Sequence, residues 1–169
     1  MGFFSSLLSI EIPHRMVATN IKDYCTGPSL SDKEVILIHK LHLDKKQYIP
    51  SRNAFLIMVF NLLFIVGEKE TANNPKSTIN LAKGFFQNRV YEHWDSLPEP
   101  EKTNMNEICT ASTTYIADLN KSAELFFQTL TGGRLESIDT SLQNDFREMV
   151  AEEIRDAIAF FRKVTSRLV

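Results

Sequence analysis

The stretch that most constrains the fold is residues 54–66, AFLIMVFNLLFIV, apolar at every position but Asn61. A helix that is apolar all round is either buried in protein or spans lipid. Length arbitrates between the two. The run is bracketed by Ser51-Arg52-Asn53 before it and, past Gly67, by Glu68-Lys69-Glu70. Residues 54–67 as a helix extend about 21 Å at ~1.5 Å per residue, short of the ~30 Å hydrocarbon core of a bilayer. The pattern therefore predicts a buried core helix, about 51–71, and no transmembrane segment. Such a helix needs neighbours on every side, and the rest of the chain must supply them.

The remaining sequence is rich in helical signals. At 169 residues with 43% hydrophobic and 24% charged residues the chain suits one domain, 1–169, with a core of its own. Six Gly and six Pro are too few for a turn-rich β protein. Twelve Phe against one Trp suggest a core built from phenyl rings. The expected architecture is an all-α bundle of about six helices, closed by a long antiparallel hairpin over about 101–131 and 140–168.

Along the chain, Phe3, Phe4, Leu7, Leu8 and Ile10 form a short apolar N-terminal segment that packs on the body or docks on a partner or membrane surface. The opening lacks a charged n-region and an A-x-A-like site, so no signal peptide is expected. Gly2 and Ser6 fit the formal pattern for N-myristoylation. Pro13 opens a second helix, with Met16, Val17, Ile21 and Tyr24 inward and Gly27-Pro28 as its stop. Ser31-x-x-Glu34 is a capping box for the next helix, which carries Val35, Ile36, Ile38 and Leu41 and ends near Lys45-Lys46. Tyr48-Ile49-Pro50 is expected to turn into the central helix. An amphipathic helix follows over about 77–96, with Ile79, Ala82, Phe86, Val90, His93 and Trp94 on one face. The hairpin's stripes then run from Met105 to Leu130 and from Leu142 to Leu168, the second capped by Asp139-Thr140, with Gln143 completing a Thr-x-x-Gln box.

Chemistry is less legible than fold. The net charge of −2 and pI near 6.1 leave no basic excess for non-specific nucleic-acid binding. Cys25 and Cys109 have no paired spacing and suit reduced, semi-buried residues of a cytoplasmic protein. His39-x-x-His42 places two imidazoles one helical turn apart. With His93 they are the candidate metal ligands of a small helical metal-dependent hydrolase or nuclease. Glu11-x-x-His14 echoes the Glu-x-x-His of di-iron bundles but occurs once. Arg89 and His93 sit closer together than the Arg/His pair of HEPN-type ribonucleases, so no membership follows. No G-x-S-x-G, P-loop, G-x-G-x-x-G or H-E-x-x-H is present.

Glu148, Glu152 and Asp156 form an i, i+4, i+8 acidic row on the last helix, flanked by Asp145 and Glu153. Such a row repels itself weakly and can steer a basic surface. The sequence thus leans toward a non-enzymatic protein–protein interaction factor of adaptor, inhibitor, chaperone-like or immunity type, without a cofactor. Its candidate partner contacts are Glu148, Glu152, Asp156, Phe3, Phe4 and Leu7. The partner is another protein, or a second copy joined through the long hairpin. A hydrophobic-ligand binder is the further alternative.

Overall fold

The structure, a computed structural model, describes the backbone of residues 3–95 and 118–169 and the side chains of 13–90 and 118–169. Six α-helices are present among the described residues: α1 (Phe3–Thr26), α2 (Asp32–Lys40), α3 (Lys45–Glu70), α4 (Ile79–Asp95), α5 (Leu119–Thr131) and α6 (Thr140–Thr165). A 3₁₀ turn, Leu135–Ser137, joins the last two. The chain is an all-α bundle, as the sequence predicts.

The apolar run lies at its centre. Every residue from 54 to 60 is buried, and so are Leu62, Leu63 and Phe64. α1, α4, α5 and α6 all pack on α3, largely through rings. Phe55 stacks on Phe126 of α5 at 4.9 Å between centroids. Phe60 meets Tyr24 of α1 edge-on at 5.5 Å, and Phe64 meets Phe161 of α6 edge-on at 4.9 Å. Offset and edge-to-face pairs of this kind add ~0.5–1.5 kcal/mol beyond the area they bury, which is where much of the phenylalanine goes.

α3 is longer than the run that predicts it. Its 26 residues extend about 39 Å, and by length and composition the helix could cross a membrane. Length alone therefore does not separate a buried helix from a membrane span. Burial decides instead, because α3 is wrapped by four other helices. The expected turn at Tyr48-Ile49-Pro50 is helix. Asp44 caps α3, its carboxylate accepting the Lys46 N–H at 2.8 Å, and Pro50 forfeits only the bond to the Lys46 carbonyl near the helix start. Lys45 and Lys46 thus occupy the first turn of α3, not the end of α2.

The same correction applies to α1, which runs through Pro13 as one helix where a break was expected. It also applies to two faces. Met16, Val35 and Ile36 were expected inward and are exposed, while Ala18, Cys25 and Leu37 are buried beside Val17, Ile21 and Ile38. The hairpin's first arm begins at Leu119, because Asp118 is extended and caps α5 through the Lys121 N–H at 3.1 Å. One helix over 101–131 is therefore excluded at Asp118; 101–117 lie outside the described residues, as does Cys109. Gly132, in the left-handed region at φ 71°, ends α5. Asp139, not Thr140, caps α6 through the Ser141 N–H at 2.8 Å, and the Gln143 amide donates to the Ile138 carbonyl at 2.9 Å. The two arms meet where Phe146 packs on Phe126 and Phe127.

Candidate functional site

The densest polar chemistry in the described residues lies where α2, α3 and α6 meet. The capping box at Ser31 forms as the sequence predicts: the Glu34 N–H reaches the Ser31 hydroxyl at 3.3 Å, and the Ser31 N–H donates to Glu34 Oε2 at 2.7 Å. Glu34 has a second role that no local pattern encodes. Its carboxylate is wholly buried, and Oε1 accepts the Tyr48 hydroxyl at 3.0 Å. The Arg52 Nε lies 3.1 Å from the same oxygen. That contact is an ion pair by distance but is not aligned as a hydrogen bond.

Arg52 is buried too, and it branches. Nη1 donates to the Gly27 carbonyl just past α1 at 3.3 Å. Nη2 lies 3.8 Å from Glu153 Oε2 on α6, an oxygen that is itself buried without a hydrogen-bond partner. The neighbouring Asn53 amide, oriented with its nitrogen toward α1, reaches the Cys25 carbonyl at 2.8 Å. Three helices, α2, α3 and α6, and the residue just past α1 are therefore tied at one point by two carboxylates, one guanidinium and one phenol.

One guanidinium faces two carboxylates here, and burial and charge shift the acids around it. Burial pushes the Glu153 carboxyl up to about 7; Arg52 opposes the rise, while Glu34, Asp156 and Glu152 add to it. Burial, then Glu153 and Asp156, push the Tyr24 phenol up to about 12. The Tyr48 phenol is raised as well, by burial and by Glu34. Breaking a buried pair by removing one partner costs far more than the intact pair contributes, so this knot fixes how α2 sits.

Outside the knot, α2 and α6 face each other along a charged seam. Lys33 bridges Glu148 at 3.3 Å and Glu152 at 2.8 Å, and Lys40 pairs with Asp145 at 3.0 Å. These hydrogen bonds, Glu152 first, hold the Lys33 ammonium above its usual range, and Lys33 in turn lowers the Glu152 carboxyl. The acidic row is thus engaged from within the chain. Asp156 lies further along, exposed, where its charge adds to the rise of the Tyr24 phenol. Within the seam sits a recess of about 180 Å³ lined by Lys33, Ile36, Leu37, Asp145 and Glu148. Ile36 is 53% exposed there, and Val35 beside it is 40% exposed.

The histidine constellation is not assembled as its spacing suggests. α2 ends at Lys40, so His39 is in its last turn while His42 lies beyond it with φ 53°. The side chain of His93 lies outside the described residues, as do those of Phe3, Phe4, Leu7 and Glu11. Among the described residues no three His, Cys, Asp or Glu side chains gather as a metal site requires. His14 is buried, and its Nε2 meets the Thr78 hydroxyl.

A second opening lies about 22 Å along α3 from Arg52, counting fifteen residues to Gly67 at ~1.5 Å each. It is a cleft of about 330 Å³ whose wall includes Leu63, Val66, Ile79, Ile158, Phe161 and Val169. Glu70 and Arg162 also border it. Gly67 lets the helices close up at its base, where a Cβ would come within 3.1 Å of Ile79.

Sequence reasoning missed Arg52 and Tyr48 as partners of Glu34. The available signal was a lone arginine on the polar shoulder of an otherwise apolar helix, which must find counter-charges if it turns inward. No protein-family model matches the chain, and neither curated proteins nor solved structures yield a similar one.

Proposed function

We propose that the protein is a non-enzymatic binding factor whose partner, another protein, docks on the face formed by α2 and α6. The observation that carries this reading is Ile36: a large apolar side chain held half out of the fold, flanked by Val35 and sharing a recess with Lys33, Asp145 and Glu148, which pair in turn with Glu152 and Lys40 along the seam. An exposed apolar centre with a charged rim is the composition of a protein-binding surface. The rim is mixed in sign, so it selects by pattern of charge rather than by a bulk acidic field. Asp156 and the N-terminal residues Phe3, Phe4 and Leu7 remain candidate contacts at the margins of this reading.

The test is capture from the protein's own source. An Ile36→Arg protein should lose its partner while melting at the same temperature, because Ile36 contributes little to the core. Retention of the same partner by Ile36→Arg and by Glu152→Lys would discard the face. A second reading, an apolar-ligand binder, draws on the cleft beside Val66. Its volume falls at the lower end of small-molecule sites, which run from ~300 to ~1,000 Å³. A small apolar molecule retained through native purification, and displaced in Val66→Trp, would favour it.

A further inference from the structure

We propose that Glu34, Arg52 and Glu153 form a proton-operated latch that sets how firmly α2 is held on the body. This deepens the docking reading and rests on it only for the consequence, since α2 carries the face proposed to meet the partner. The geometry is one guanidinium shared by two carboxylates on different helices, Glu34 wholly buried and Glu153 largely so. Arg52 lies 3.1 Å from Glu34 and 3.8 Å from Glu153. Glu34 is well served otherwise, by the Tyr48 hydroxyl and the Ser31 N–H. Glu153 Oε2 is buried and accepts no hydrogen bond.

α1, α2 and α3 each present a group to Glu153. α1 presents the Tyr24 phenol, α2 the Glu34 carboxylate and α3 the Arg52 guanidinium, and α6 itself adds Glu152 and Asp156. Three of these five are acids and one is a base. With Glu153 protonated, Arg52 and Glu34 balance and α2 is held. When Glu153 gives its proton to water, a net negative charge remains in a desolvated site. The strain falls on α2, which is nine residues long and packs chiefly on α6. The carboxyl's rise to about 7 places this exchange near neutral pH.

Hydrogen exchange of the α2 amides tests the latch on the full chain, with intrinsic exchange rates corrected at each pH. If opening returns Glu153 from about 7 to its usual 4.5, the α2 opening constant rises about tenfold between pH 6 and pH 8. In Glu153→Gln it should be flat. A flat wild-type profile, or an equal slope in Glu153→Gln, would overturn the latch. So would a ¹³C titration of the wild-type Glu153 carboxyl in the ordinary carboxylate range, a measurement that needs no variant to fold. Neither experiment involves a partner. Their failure removes the latch and leaves the docking face intact, whereas an Ile36→Arg protein that keeps its partner removes the face and leaves the latch.

Discussion

Replacing Arg52 by Met is the most informative single change to the fold. The thioether chain occupies much of the arginine's volume but removes the guanidinium between Glu34 and Glu153. Glu34, with no exposed surface, keeps the Tyr48 hydroxyl and the Ser31 N–H but loses its cation. Glu153 loses the guanidinium 3.8 Å away, and the Gly27 carbonyl loses its donor. Removing one member of a buried ion pair costs ~3–5 kcal/mol, a large part of the ~5–15 kcal/mol that holds a domain together. Glu34's two remaining donors argue for the lower end, about 3 kcal/mol. Urea unfolding of wild type and Arg52→Met at pH 7 measures it. The loss should shrink at pH 5, where Glu153, its carboxyl raised by burial, is protonated and carries no charge to strand. Adding Glu34→Gln to Arg52→Met should restore part of the loss, since partners in one network couple by ~0.5–3 kcal/mol. A loss below about 1 kcal/mol at pH 7, or one that does not change with pH, would refute the claim that these charges are interdependent.

Two further effects follow from the same packing and charges. Phe60, fully buried between Tyr24, Phe86, Phe160 and Phe161, should cost ~3–5 kcal/mol as Phe60→Ala; a circular dichroism melt that barely moves would contradict the placement of α3 at the centre. Glu153 also makes global stability depend on pH. Its folded carboxyl is raised, so the folded state binds the extra proton between the usual 4.5 and about 7. Stability from this group is therefore greatest below 4.5 and falls as pH rises to about 7. The full shift corresponds to ~3.4 kcal/mol at 1.36 per unit, and Glu153's remaining contact with solvent reduces this to ~1–2 kcal/mol. Denaturation midpoints of wild type and Glu153→Gln at pH 5 and pH 8 should diverge accordingly, with the variant the less pH-sensitive.

The helical class and the central position of α3 were legible because both rest on local periodicity and on an apolar run too greasy to leave exposed. The Ser31–Glu34 box was legible for the same reason: its four residues satisfy one another. What was hidden depends on partners distant in sequence. Glu34's burial follows from Arg52 and Tyr48, a helix away, and Lys33's engagement follows from Glu148 and Glu152, more than a hundred residues on. The charges themselves carried a faint trace, since Lys33 and Lys40 repeat at the interval needed to meet the acids of α6 when the two helices run antiparallel. Pro13 and Pro50 misled because the N–H a proline lacks and the restriction it places on its predecessor favour a break without forbidding a helix. Asp118 was hidden in a stripe whose spacing looked continuous, where only its extended backbone marks a helix start.

The central functional claim is that the chain works by holding another protein on the α2–α6 face. Native mass measurement of the protein isolated from its own source, under conditions that preserve non-covalent complexes, tests it most directly. The expected result is a second protein at defined stoichiometry that is absent when Ile36→Arg is isolated in the same way. A bare monomer or homodimer carrying only a metal or small-molecule mass would contradict it.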